Sequence, residues 1–403
     1  MTTAFEARDA IVPLSSAGDL LAGYRAGPDA AFFAGPTGTL LAEGVRRAVP
    51  DPADVPEALR EAAGELAADG PVRPLVVGAI PFAADRTARL FVPAAVRWAP
   101  PPAEEPLLLL APPATGVVAA AAPAWQQQPL PAPVLYRAAV AEAVRLMGRD
   151  PDLRKVVLAR TLDLTSPGGV DLRTMLSRLL RRDPHGYTFA VPAGGEATLV
   201  GASPELLVSR RGRAVVSNPL AGSAARSTDP VEDEARGAAL LESAKDLAEH
   251  AFVVDAVRRS LAPFCSELLV PERPELIRTA AMWHLSTTVT GTLADPAVSA
   301  LDLALALHPT PAVCGTPTLA ARELIGGLEP FDRGLYTGVV GWGDASGDGE
   351  WVVTLRCAEV EGDRLRLFAG AGVVAESRPD DELAETAAKF RTFLDAVGLE
   401  EGK

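Results

Sequence analysis

The stretch Arg154-Lys155-Val156-Val157-Leu158-Ala159-Arg160-Thr161-Leu162-Asp163-Leu164 decides how the rest of the chain is read. Its β-branched, apolar run predicts a strand, and the helical spacing of apolar residues from Val134 to Met147 predicts the helix that feeds it. Downstream, Asp171 to Arg181 reads as a helix, followed by strands at Tyr187 to Val191, Ala197 to Val200, Leu206 to Ser209 and Ala214 to Ser217. Glu232 to Leu261 reads as one long amphipathic helix, Trp351 to Cys357 and Arg364 to Phe368 as strands, and Pro379 to Val397 as a terminal helix. Upstream lie strand-like segments at Leu75 to Ile80 and Ala88 to Pro93 and a helical patch from Glu57 to Leu66. Strands and helices mix without a regular βαβ beat, so the expected class is α+β rather than a doubly wound sheet.

Ten of the 36 prolines fall between Pro100 and Pro133, a density that forbids a continuous helix and disfavours central strands. We read this as a seam between residues 1–133, which show no sharp motif, and a catalytic region at 134–403. The 403 residues are 48% hydrophobic, enough for a real core. With 38 Lys plus Arg against 52 Asp plus Glu the formal charge is −14, which argues against nucleic acid or an anionic membrane as partner. Cys265, Cys314 and Cys357 are in no ligand-like spacing, and the N-terminus has acids where a signal peptide would carry bases, so a cytoplasmic setting is expected. The apolar stretches Leu107 to Leu110 and Val117 to Ala122 are far shorter than a membrane span.

Three motifs mislead. Gly370-Ala-Gly372-Val-Val-Ala375 matches a dinucleotide fingerprint, but Pro379 delays the helix that should receive a pyrophosphate. Asp344-Ala-Ser-Gly-Asp348-Gly starts like a calcium loop but has Leu355 where the closing Glu belongs, and is better read as a hairpin turn. Ser203 lacks the second glycine of a nucleophile elbow.

The acids are more informative. Asp246 and Glu249, and again Glu382 and Glu385, lie three apart, so each pair projects from one helical face. Such a pair is ordinarily solvated surface. Here the apolar neighbours of Asp246 and Glu249 suggest cover, and two pairs meeting across a cleft would make an oxygen-rich site suited to Mg²⁺. Lys155 opens a buried-looking strand; a lysine there ordinarily snorkels, but desolvation would make it available as a base. Glu205, heading Glu-Leu-Leu-Val, poses the opposite case, since desolvation favours its protonated form.

Eight ordered blocks then carry a resemblance: Lys155-Val-Val-Leu-Ala-Arg, Gly201-Ala-Ser-Pro-Glu205, Asn218-Pro-Leu-Ala-Gly222-Ser, Lys245-Asp-Leu-Ala-Glu249-His, Trp283-His284-Leu-Ser-Thr, His308-Pro-Thr-Pro-Ala312-Val-Cys-Gly-Thr-Pro, Gly334-Leu-Tyr336-Thr-Gly and Ala369-Gly-Ala-Gly-Val-Val with Glu385-Thr. Together they resemble the chorismate-utilising enzymes of menaquinone, siderophore and tryptophan synthesis, and within these most closely the isochorismate synthases of catechol siderophore pathways. The resemblance covers about Val134 to the C-terminus. It implies two packed antiparallel sheets with helices outside, the site between them, and the seam as a crossing within one unit. It implies chorismate as substrate, Lys155 as the base activating water, and Glu205 as the acid protonating the departing hydroxyl. Glu249 and Glu385 would hold Mg²⁺, supported by Asp246 and Glu382. Arg356, Tyr336 and a backbone donor at Gly370 would receive the enolpyruvyl carboxylate. Gly222 and Ser223 would allow close approach to the metal-bound carboxylate, with His284 near the ring and Ala312 in the wall. A satisfied core histidine is the competing reading of His284.

Relatives that use ammonia carry glutamine where Lys155 stands, and those making the 4-amino product often carry lysine where Ala221 stands; this chain has neither. Salicylate synthases share Lys155 and Glu205, so those residues do not exclude them, and the His308 block favours isochorismate synthase. Ala244 and Ala248, beside the metal-helix acids, depart from the larger or polar residues often found there. A non-catalytic scaffold is the alternative from another class. The enzyme is expected to act as a monomer, functionally coupled to a downstream isochorismatase.

Overall fold

The computed structural model describes residues 15–66, 73–105, 125–166 and 168–399. The two short apolar stretches at 107–110 and 117–122 lie outside the described residues, as does much of the proline seam.

Antiparallel pairing joins strands into a ribbon that folds over into two layers. The first layer runs Ala30–Gly35, Tyr187–Gly194, Ala197–Ser203, Cys357–Glu361, Arg364–Val373 and Lys155–Thr165, with Gln126–Leu130 at its edge. The second runs Leu75–Ile80, Val339–Asp344, Gly349–Val353, Leu206–Arg211, Ala214–Asn218, Val289–Leu293 and Cys265–Leu269. Gly38–Val49 and Arg89–Ala99 make the fold between them. Alternation along each strand sends Phe33, Phe189 and Phe368 from the first layer against Val77, Val340, Trp342 and Val352 from the second, a buried core between sheets. The expected pair of packed sheets is therefore one hydrogen-bonded ribbon, and strands from both sides of the seam pair within it.

Helices cover the outer faces. Ala17–Gly23, Leu172–Arg182 and Pro379–Ala396 lay Leu20, Leu176, Phe390 and Phe393 on the first layer. Val55–Leu66, Ala244–Leu261 and Ala300–Leu307 cover the second through Leu59, Val257 and Leu303. Pro133–Met147 and Thr318–Leu328 pack at the Lys155 end. A separate sheet of Leu220–Ala225, Met282–Ser286 and Glu275–Arg278 stands apart from the ribbon.

Two expected elements are broken. The helix expected over Glu232 to Leu261 is two, Pro230–Glu242 and Ala244–Leu261, because Ser243 adopts an extended conformation and its hydroxyl accepts the Asp246 N–H. A serine that caps competes with the continuing helix, and the apolar period on both sides hides the break. The strand expected over Trp351 to Cys357 ends at Val353, and the chain crosses through Thr354, Leu355 and Arg356 from the second layer to the first. Pro204 and Glu205 make the reverse crossing beside it: Ala202 N–H donates to the Arg356 carbonyl, and Val353 N–H to that of Glu205. The calcium-like motif is a turn closing the hairpin Val339–Asp344 with Gly349–Val353, and the dinucleotide-like motif begins inside the strand Arg364–Val373.

Candidate active site

The crossings open onto a cavity of about 420 Å³ lined by residues from both layers, the small sheet and two helix N-termini. Glu205 is buried on the crossing. Burial pushes its carboxyl up to about 8, against the lowering effect of a Leu220 N–H and of Lys155, Lys389 and Arg356, so it holds its proton at neutral pH. Lys155 is fully buried behind the wall, with Nζ 2.8 Å from Glu249 Oε1. Gly372 makes room for this pair, since a Cβ there would lie 2.6 Å from that oxygen and 3.0 Å from Lys155 Cε.

The acids sit in the first two turns of their helices, where the exposed N–H groups favour negative charge. Each has a partner from within the protein. Burial works to raise Glu249, but the Lys155 ammonium outweighs it and holds the carboxyl below its usual range. Glu385 is 2.6 Å from Lys389 Nζ, which also donates to the Gly370 carbonyl at 2.7 Å. Asp246 accepts from the Ser243 hydroxyl, and burial with Glu249 and Glu385 nearby raises it. Glu382 is buried, and desolvation together with Glu385 pushes it up to about 7.

Opposite the acids stands a polar chain. His284 Nε2 lies 3.3 Å from Arg356 Nη2, and because guanidinium only donates, that nitrogen accepts. Burial, with Arg356 and Lys389 adding to it, keeps His284 neutral, so its proton is on Nδ1, which donates to Ser223 Oγ at 2.7 Å. Arg356 is buried, pushed down to about 10 by desolvation, and Tyr336 stacks on Phe368 with centroids 5.0 Å apart. Gly370 leaves space for the tyrosine, whose hydroxyl would be 2.7 Å from a Cβ there. Gly222, at φ +79, brings the small sheet against Asp246, whose Cβ would be 3.1 Å from any side chain. Ala312 lines the far wall with Val313.

The family model described as chorismate binding enzyme matches residues 112–398. Isochorismate synthase DhbC of Bacillus subtilis is 50% identical over 386 residues, 93% of this chain and 94% of its own. Isochorismate synthase EntC of Escherichia coli K12 is 41% identical over 332 residues, 82% of this chain and 83% of its own. The crystal structure of DhbC from Bacillus anthracis superposes with a TM-score of 0.86 at 47% identity, over 95% of this chain and all of that one. The chain belongs to the chorismate-binding enzyme family.

Every site residue expected for a chorismate-binding enzyme except Lys155 lines this cavity, and Lys155 stands directly behind Glu249. Whether the acids suit a dication can be judged from their surroundings. Glu382 Oε1 is buried without a hydrogen-bond partner, its nearest cation being Lys245 Nζ at 3.5 Å. Glu249 and Glu385 add to the burial that raises Asp246 and Glu382, and a hard cation would relieve that repulsion; the donor set fits Mg²⁺. Among the described residues no three acid, histidine or cysteine side chains converge as ligands; Glu249 and Glu385 each pair with a lysine instead. Lys389, Phe368 and Asp381 also line the cavity and were not singled out from sequence, while Lys245 and Thr337 were noted only within blocks. Lys389 follows Glu385 by four residues on one helix face, a signal that spacing could have supplied.

Proposed function

We propose that this chorismate-binding enzyme is an isochorismate synthase, an isomerase that adds water at C2 of chorismate and loses the C4 hydroxyl, for 2,3-dihydroxybenzoate siderophore synthesis. The observation that carries the reading is a carboxyl kept protonated by burial, Glu205, sharing one cavity with Arg356 and Tyr336 and with Lys155 behind its wall. The likeness to enzymes named isochorismate synthase over most of both chains supports it.

In this reading the side-chain carboxylate docks on Arg356 and Tyr336. Ser223 and His284 hold Arg356 in place as neutral partners. Lys155, the cationic partner of Glu249 at rest, must first release a proton to solvent; the free amine then takes one from water as the oxygen bonds to C2. The ring double bonds shift, and Glu205 gives its proton to the C4 oxygen, which leaves as water. Oxygen and hydrogen balance, and no electron is gained or lost. Glu249 and Glu385 would hold Mg²⁺, with Asp246 and Glu382 in support, and a bound ion would supply positive charge for the ring carboxylate. We place the enzyme in the cytoplasm as a monomer feeding an isochorismatase; the free cysteines accord with a reducing compartment, and among the described residues no helix is long and apolar enough to cross a membrane.

Incubating the purified protein with chorismate and Mg²⁺ should yield isochorismate. Salicylate with pyruvate would instead assign a salicylate synthase, and an amino product formed only with ammonia the third relative. Lys155→Ala should lower turnover by about 10²-fold or more while substrate still binds; undiminished turnover would remove Lys155 from its role.

A further inference from the structure

Among the described residues two that are not glycine have positive φ, Thr337 at 58° and Arg356 at 44°. A β-branched residue in the left-handed region is a genuine outlier, and such strain persists only where the surroundings fix it. Thr337 is fully buried and held from every side. Its N–H donates to the Thr354 carbonyl at 2.9 Å, and Thr354 N–H returns to Gly338. Its hydroxyl donates to the Tyr336 carbonyl at 2.6 Å and accepts from Arg333 Nη1 at 3.3 Å. Its own carbonyl lies 2.9 Å from His308 Nε2, which must therefore carry the imidazole proton. The strained turn thus ties the segment bearing Tyr336 to the crossing bearing Arg356.

His308 is not among the residues lining the cavity; it ends the helix Ala300–Leu307 and packs edge-on against Phe82 at 6.3 Å. We propose that His308 is a positioning residue, whose Nε2–H holds the Thr337 carbonyl so that the strained turn presents Tyr336 and Arg356 together to the substrate's side-chain carboxylate. This rests on the reading of Arg356 and Tyr336 as the carboxylate site. Without the strut, Thr337 relaxes toward ordinary φ, the competent wall is populated only part of the time, and apparent affinity falls by that fraction. The effect belongs in KM, because the same wall serves ground state and transition state.

Glutamine can place an N–H where imidazole Nε2 stands, whereas asparagine reaches only as far as Nδ1. His308→Asn should raise the KM for chorismate about three- to tenfold, with kcat within about twofold, and His308→Gln should restore most of it. Equal loss in both variants, or a KM unmoved in Asn, overturns the proposal. Glycine accepts positive φ at no cost, so Thr337→Gly should make the strut dispensable: adding His308→Asn to it should leave KM at the value of Thr337→Gly alone, and a further rise would overturn the proposal. Arg356→Gln separates the two readings. If it raises KM while His308→Asn does not, the strut fails and the carboxylate site stands; if it leaves KM unchanged, both fall.

Discussion

Glu205 is held at about 8 by burial against an ordinary value of 4.5. Between these values the folded protein binds the proton and the unfolded chain does not, so this group's contribution to stability is fully present below about pH 4.5 and is lost as pH rises through about 8. Glu205→Gln should therefore gain stability relative to wild type as pH climbs, seen as a thermal midpoint difference that widens between neutral and mildly alkaline buffer. If Glu205 is the acid proposed above, the same substitution should lower kcat by about 10²- to 10⁴-fold. In the wild type, turnover should decline as pH rises through about 8, where the donor is lost. A pH-independent stability difference would mean that the carboxyl is ionised in the folded protein. Residue chemistry of this kind was legible early: an acid at the head of a buried strand has few ways to be satisfied. What Lys155 meets was not, because its partner Glu249 is ninety-four positions away and nothing local in the sequence joins them.

At the scale of elements, Ser243 shows why periodicity alone reads too smoothly. The apolar stripe continues through it, yet the hydroxyl caps a new helix and fixes Asp246 in the first turn. Ser243→Ala should cost about 1 kcal/mol of stability by loss of the cap, and should also raise the Mg²⁺ concentration needed for activity. Denaturant melts and a metal titration separate these effects; a metal requirement unchanged beside a lost cap would confine Ser243 to folding. Arg356 is the parallel case in a strand. Its neighbours are as apolar as a continuous strand demands, and only the layer each end pairs with reveals the crossing. The small sheet carrying Ser223 and His284 is hidden in the sequence because its strands are short and Leu220–Ala225 pairs across about sixty residues, as in Ser223 with His284.

For the molecule as a whole, pairing of Ala30–Gly35 with Tyr187–Gly194, and of Leu75–Ile80 with Val339–Asp344, ties the first hundred residues into both layers. We therefore expect a single nick within 100–133 to leave two fragments that stay associated and melt together in size-exclusion and calorimetry. Separation into two independently stable halves would make the seam a domain boundary. The global charge of −14, which first spoke only against nucleic acid, also takes on a local meaning. Each of Glu249, Glu382 and Glu385 faces a lysine, so part of the acidic surplus is balanced inside the pocket.

The paired crossings at Pro204–Glu205 and Thr354–Arg356 have a mechanical side. Each joins the two layers directly, and they are hydrogen-bonded to each other at Ala202 and Val353. Glu205 and Arg356 are therefore each anchored to both sheets. The register of one layer on the other fixes where both side chains stand. That register is held in part by side chains such as Phe33 and Trp342, packed in the buried core between the layers.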